Sequence, residues 1–243
     1  MKNAIEIRKL TKDYKDIRAV DNLDLDIREG ELFSLLGVNG AGKTTTIKML
    51  CTIKTPTSGD ATLEGKSIAS DADEVKKIIA VSPQETAVAK NLSVRENLEL
   101  LCGVHGFDKE TSKRKTSEMI DRFNLRNVAS KKSSKLSGGW QRRLSIAMAL
   151  ISEPQILFLD EPTLGLDVIA RSELWDTIRE LKSRMTIILT THYMEEAEEL
   201  SDRIGVMKDG HLLAVGTASE LKQQTGEEKF ENAFIKLVKG GAR

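Results

Sequence analysis

The eight residues Gly37-Val38-Asn39-Gly40-Ala41-Gly42-Lys43-Thr44 fit G-x-x-x-x-G-K-[ST] in full. Few short patterns constrain a fold as tightly, because this one works only as the turn between a strand and a helix. Both neighbours are legible. Glu31 to Leu36 (E-L-F-S-L-L) reads as an apolar strand ending in glycine, and Thr44 to Leu50 has helix-like apolar spacing. Glycines let backbone N–H groups curl around an anion without side-chain clash, and the helix that follows points its positive end at the same place. Lys43 is placed to reach β- and γ-phosphates, and the Thr44 hydroxyl to bind Mg²⁺. The complete octapeptide in this context sets it apart from a chance glycine-rich turn. It specifies a nucleotide and leaves the family open.

Two later strands supply the rest of the chemistry. Ile156-Leu157-Phe158-Leu159 runs into Asp160-Glu161, and Thr186-Ile187-Ile188-Leu189-Thr190 runs into Thr191-His192. Asp160 ends a buried strand, where a carboxylate is expected to hold Mg²⁺ through water. Glu161, one residue on, is placed to polarise an attacking water. In an open α/β sheet ligands sit at the carboxyl ends of the strands, so His192 falls on the same rim as Lys43 and Glu161. For the acidic pair alone, an exposed turn before Pro162 would be a sufficient explanation; beside a phosphate loop it is not.

Strands alternating with helices argue for a mostly parallel sheet with helices on its faces. Ile5-Glu6-Ile7 and the strict alternation of Asp21 to Ile27 predict a small antiparallel sheet near the start. Ser93 with Glu96, and Thr217 with Glu220, form capping boxes that open helices. Residues Lys109 to Phe123 predict a highly charged helix whose Lys113-Arg114-Lys115 run reads as a solvated face. Phe230, Phe234, Leu237 and Val238 have the spacing of a helix that covers either the core or a dimer contact.

The chain has 243 residues, enough for one α/β domain with a sizeable core. Lys+Arg and Asp+Glu are equal at 37 each, so the basic excess of a nucleic-acid binder is absent and no nucleic-acid partner is expected. The longest apolar run, Ile146 to Ile151, is too short to cross a bilayer. The N-terminus has no apolar core of a secretory signal. The expected location is cytoplasmic. Cys51 and Cys102 lack metal-like spacing and are expected to be reduced core residues.

Leu136-Ser137-Gly138-Gly139 resembles the signature of the ATP-binding-cassette (ABC) ATPases. The order of phosphate loop, glutamine loop, signature, Asp-Glu strand and histidine matches that family from Ile5 to about Gly216. Ser137 looks like the N-cap of a helix carrying Trp140, Leu144, Met148 and Ile151 on one face. The resemblance implies a P-loop NTPase fold: a RecA-like, mostly parallel sheet flanked by helices, with a small antiparallel β subdomain and an inserted α-helical subdomain. It divides one domain into a nucleotide-binding core (1–84 and 155–216), a helical signature subdomain (85–154) and a C-terminal helical tail (217–243).

The same resemblance implies a set of contacts. Tyr14 would stack on adenine with Val20 beside it, and Asn39, Gly40, Ala41, Gly42, Lys43, Thr44 and Thr45 would hold the phosphates. Gln84 would touch Mg²⁺ or the water, Thr44 and Asp160 would complete the metal site, Glu161 would be the base and His192 the γ-phosphate switch. Ser137, Gly138, Gly139 and Asp167, the last within Gly165-Leu166-Asp167, would act across a head-to-tail dimer that sandwiches two ATP. Trp140 stands where the family usually has Gln.

A single cassette without a membrane span resembles a transporter motor working with separate integral membrane permease subunits, peripheral on the inner face of the cell membrane. Asn91 to Leu98 and Glu231 to Leu237 resemble the drug, antibiotic and lipid exporter branch of bacterial or archaeal cassettes. The alternative is a non-transport ABC ATPase such as a cluster-assembly ATPase. Residues 45–135 show no sustained heptads and leave no room for the long coiled coil of the repair and chromosome forms. Intact Lys43, Asp160, Glu161 and His192 argue against a regulatory module that has lost catalysis.

Overall fold

The structure is a computed structural model that describes residues 2–182 and 184–240. The last three residues of the tail expected over 217–243 lie outside the described residues. Two long strands open the chain, β1 (Asn3–Tyr14) and β2 (Ile17–Arg28). They pair antiparallel with register shifts along their length. Then come β3 (Leu32–Gly37), α1 (Lys43–Leu50), β4 (Ser58–Leu63), β5 (Lys66–Ser67), α2 (Ala72–Ile78) and β6 (Ile79–Ser82). Three helices follow: α3 (Val94–Val104), α4 (Lys109–Arg122) and α5 (Gly138–Ala149). The chain closes with β7 (Ile156–Asp160), α6 (Val168–Lys182), β8 (Thr186–Thr191), α7 (Met194–Leu200), β9 (Arg203–Lys208), β10 (His211–Gly216), α8 (Ala218–Thr225) and α9 (Phe230–Gly240).

These strands form two sheets. The antiparallel one has the order β2-β1-β4-β5, larger than the pair expected from alternation alone. The other has the order β10-β9-β3-β8-β7-β6, parallel except for the β9–β10 hairpin. Every residue of β3, β7 and β8 is buried, as near-continuous apolar strands covered on both faces should be. Leu157, Leu159, Ile187 and Leu189 join the core of α3 to α6. Phe33, Leu35, Phe158 and Ile188 join that of the antiparallel sheet and α1. Each such side chain is worth about 1.5–3 kcal/mol relative to exposure. Phe230 and Phe234 of α9 cover a third cluster with Leu36 and Val206, so the tail is a core-covering helix.

Both capping boxes form as the sequence predicts. The charged run of α4 departs from expectation at Lys115. That residue is buried, bonded to the Ile151 carbonyl and to Glu153, with its ammonium 4.7 Å from the Phe107 ring centre. An acid distant in sequence makes this burial tolerable, and helical periodicity carries no sign of it. Cys51 and Cys102 are buried and free. Among the described residues no helix is long and apolar enough to cross a membrane.

Asn97 fixes the approach to α3. It is fully buried, donates to Ser93 O and Ser133 Oγ at 2.9 Å each, and accepts from the Ala89 amide at 2.7 Å. Replacing it with alanine strands several of these groups, each unpaired one costing about 1–3 kcal/mol. Asn97→Ala should therefore lower the urea midpoint markedly, and an unchanged midpoint would show that these bonds are dispensable.

Candidate functional site

The parallel sheet brings the sequence-predicted residues together because β3, β8 and β7 are adjacent and end level. In register, Leu35 lies opposite Thr190, and Thr190 opposite Asp160. The phosphate loop leaves β3, Asp160 and Glu161 end β7, and His192 follows β8. A cavity of about 430 Å³ opens there, lined by Tyr14, Ala19, Asn39 to Thr45, Gln84 and Glu161.

The loop is shaped by close main-chain contact. A Cβ on Gly37 would sit 2.4 Å from Met207 O, and one on Gly42, whose φ is +103°, would sit 2.5 Å from Ala19 O. Only glycine fits either place. The Asp209-Gly210 turn between β9 and β10 supports the loop from behind, with the Gly210 amide donating to Ala41 O at 3.1 Å.

Within this frame Lys43 is buried, and its ammonium donates to Gly37 O at 2.7 Å and Val38 O at 3.2 Å. Burial lowers its pKa, while the carboxylates of Glu161, 3.7 Å away, and Asp160 oppose that shift. Thr44 Oγ1 donates to Asp160 Oδ1 at 3.1 Å, and Thr190 Oγ1 donates to the same oxygen at 2.5 Å. Thr190 also accepts from the Glu161 amide, at its carbonyl and its hydroxyl, both 3.1 Å. Glu161 has a φ of +48°, a left-handed backbone that costs a non-glycine residue energy and persists only where neighbours enforce it. Its carboxylate meets His192 Nδ1 at 2.6 Å.

Two residues around this site were not singled out by sequence pattern. Thr190 lies within an apolar-looking strand, and only the strand register places it between two site carboxylates. Ala19 lines the cavity where Val20 was expected; Val20 is fully buried in the core. The register shifts between Leu10↔Leu23 and Lys12↔Val20 turn Val20 inward.

Ser137, Gly138, Gly139 and Asp167 do not line this cavity. A Cβ on Gly139 would lie 3.0 Å from Ala170 Cβ, and one on Gly138 3.7 Å from Leu166, so the signature abuts the start of α6. Asp167 is exposed and accepts from the Ala170 amide at 2.9 Å. Ser137 occupies the N-cap position of α5, but its side chain makes no capping bond. Gln141 braces this turn instead, donating to Ser133 O and Leu136 O at 3.1 Å each. Trp140 packs partly buried against the core, with the Arg143 guanidinium 5.1 Å from its ring centre.

Residues 20–164 match the family described as ABC transporter. The chain belongs to that family. This ABC chain is 40% identical over 229 residues to the daunorubicin resistance ATP-binding protein DrrA3 of Streptomyces coeruleorubidus, covering 94% of this chain and 72% of that protein. It is 39% identical over 240 residues to the probable multidrug ABC transporter ATP-binding protein YbhF of Escherichia coli, covering 96% of this chain but only 41% of YbhF. Among solved structures, the ATP-binding cassette MJ0796, a post-hydrolysis dimer bound to ADP and Pi, superposes with a TM-score of 0.78 at 29% identity, over 88% of this chain and 98% of that one. The chain is therefore an ABC ATPase domain with a P-loop NTPase fold, and ATP is its nucleotide.

The cavity fits that nucleotide in kind: a cradle closed to any Cβ at Gly37 and Gly42, a buried ammonium, and a hydroxyl and carboxylate paired for a cation. Thr190→Val tests the frame that holds the carboxylates. It removes the hydroxyl shared by Asp160 and the Glu161 amide, leaving Asp160 Oδ1 with Thr44 and the amide with Thr190 O, at about 0.5–1.5 kcal/mol per lost bond. We expect ATPase kcat to fall about tenfold, equivalent to about 1.4 kcal/mol, with ATP still bound. Wild-type turnover in a steady-state assay would show that the strand alone holds Asp160.

Proposed function

We propose that the chain is the ATP-binding subunit of an exporter, closing head to tail on a second copy around two Mg-ATP and driving separate membrane permease subunits. The observation that carries this reading is the split of the site. Lys43, Thr44 and Glu161 line one cavity, with Asp160 bonded to Thr44 and His192 to Glu161 beside it, whereas Ser137 and Gly138 are exposed and do not line it. A phosphate site and a signature that do not meet in one chain are completed by a second copy, and MJ0796, solved as a dimer, shows that a related cassette pairs. The names of DrrA3 and YbhF support a drug or multidrug exporter as the setting, in which the cassette would lie on the inner face of the cell membrane against its permease subunits.

In this mechanism Tyr14 stacks on adenine beside Ala19, and residues Asn39 to Thr45 hold the phosphates. Thr44, Gln84 and, through water, Asp160 would hold Mg²⁺, which when bound supplies positive charge at the β- and γ-phosphates. Glu161 orients the attacking water and accepts its proton. His192 holds the Glu161 carboxylate by the bond at Nδ1 and is assigned the γ-phosphate contact. Ser137, Gly138 and Gly139 contribute to the partner's site, and Asp167 to the contact between copies. Residues 85–154 move as the unit that carries the signature. ATP favours the closed pair by its differential affinity, and hydrolysis removes that bias.

Glu161→Gln keeps shape and loses the base. Hydrolysis should fall about 10²- to 10⁴-fold, while Mg-ATP traps a dimer on size-exclusion chromatography that a further Ser137→Ala change disfavours. Full activity in Glu161→Gln would refute the assignment of the base. Trapping that ignores Ser137 would refute the shared site.

A further inference from the structure

The loop that carries Gln84 is tied to the signature helix by a buried guanidinium. Arg142, on α5, is 4% exposed and donates from Nη1 to Pro83 O at 2.6 Å and from Nη2 to Gln84 O at 2.5 Å. One helical step along the same face, the hydroxyls of Ser145 and Ser82 bond at 3.1 Å. Two consecutive rungs thus align α5 with the end of β6 and the two residues after it. Because both Arg142 bonds go to main-chain carbonyls, they fix the backbone trace at Gln84 and so where its side chain starts from.

We propose that Arg142 is a positioning residue that couples the signature helix to Gln84, so that a displacement of α5 is delivered to the cavity as a displacement of the Gln84 backbone. Two features separate this contact from ordinary packing. Charged, forked donors to paired acceptors are geometrically specific in a way apolar contacts are not. The guanidinium also lies within the field of the Asp160 and Glu196 carboxylates, which oppose the lowering of its pKa by burial. Arg142 does not itself line the cavity; of the two residues whose carbonyls it holds, Gln84 does.

The inference rests on the assignment of Gln84 made under Proposed function, and the test separates the two. Wild-type protein, Arg142→Gln, Gln84→Ala and the double variant are compared in four measurements: kcat, ATP affinity, the Mg²⁺ concentration giving half-maximal rate, and amide hydrogen exchange over residues 83–88 without nucleotide. Arg142→Gln should speed exchange in that segment and raise the Mg²⁺ requirement. It should lower kcat by up to about 10²-fold, which a misplacement of about 1 Å can cost, with ATP affinity within about twofold of wild type. The double variant should be no slower than Gln84→Ala. Independent, multiplying losses, or exchange unchanged by Arg142→Gln, would overturn the coupling while leaving Gln84 in the site. A Gln84→Ala variant with wild-type turnover would overturn both. If Arg142→Gln does not fold, Arg142→Lys, which keeps the charge but loses the fork, enters the same cycle and must show the same dependence on Gln84.

Discussion

The placement of every group in this site follows from the closeness of three stretches of main chain. Gly37 runs against Met207 of β9, Gly42 against Ala19 of β2, and the Gly210 amide bonds Ala41 O. The phosphate loop is thus clamped between the edge of the antiparallel sheet and the β9–β10 hairpin. A side chain at either glycine would push the loop off one wall and with it Lys43 and Thr44, which begin the helix rigidly joined to it. The clamp also accounts for two sheets of different character in one domain. β3 must be buried on both faces to end in a fixed loop, while β1 and β2 must be long enough to bring Tyr14 and Ala19 over it.

Charge is buried around this clamp in a mutually dependent way. Lys43 faces Glu161 and Asp160, and Arg142 is opposed in charge by Asp160 and Glu196. Glu196, fully buried, accepts from Trp175 Nε1 at 3.1 Å, and burial raises its pKa. Taking any one of these ions out of water is expensive, and losing a single partner leaves the other uncompensated. Such a set adds little net stability. Its consequence is that the acids at the end of β7 and the two cations, which enter from different elements, tolerate very few relative positions. The exposed pairs, such as Arg179 with Asp176 and Glu199, are worth little and leave that geometry unaffected.

How much of this was legible depends on the range of the interaction. The phosphate loop, the Asp160-Glu161 strand end, His192 and the capping boxes are local patterns, and they stand where sequence places them. The support of Ala41 by the Asp209-Gly210 turn is a contact between residues far apart in the chain, which no local pattern shows. The family resemblance put Val20 beside the adenine, whereas Ala19 lines the cavity and Val20 is buried, next to irregular pairing of β1 with β2. Ser137 has the right residue type for a cap but makes no capping bond, and Gln141, four residues on, instead braces the turn by donating to two of its carbonyls. Lys115 reads as solvated because its partner Glu153 arrives by tertiary packing. Thr190 and Arg142 show the same limit, since their chemistry lies in which backbone or carboxylate they face.

Helix α5 is where these long-range contacts gather. Arg142 grips the loop after β6, and its neighbour Arg143 pairs with Glu173 on α6 while stacking near Trp140. Adjacent residues on a helix point about 100° apart, so the two arginines hold two different elements. One holds the backbone at Gln84; the other holds the helix that begins just after Asp167. With Gly139 close against Ala170, a shift of the signature turn loads both connections at once. The exposed end of α5 therefore reaches the cavity by way of Gln84 and reaches the Asp167 segment by way of α6. Trp140, in the signature turn, packs inward beside Arg143 and so lies on the side of α5 that faces α6 through Glu173.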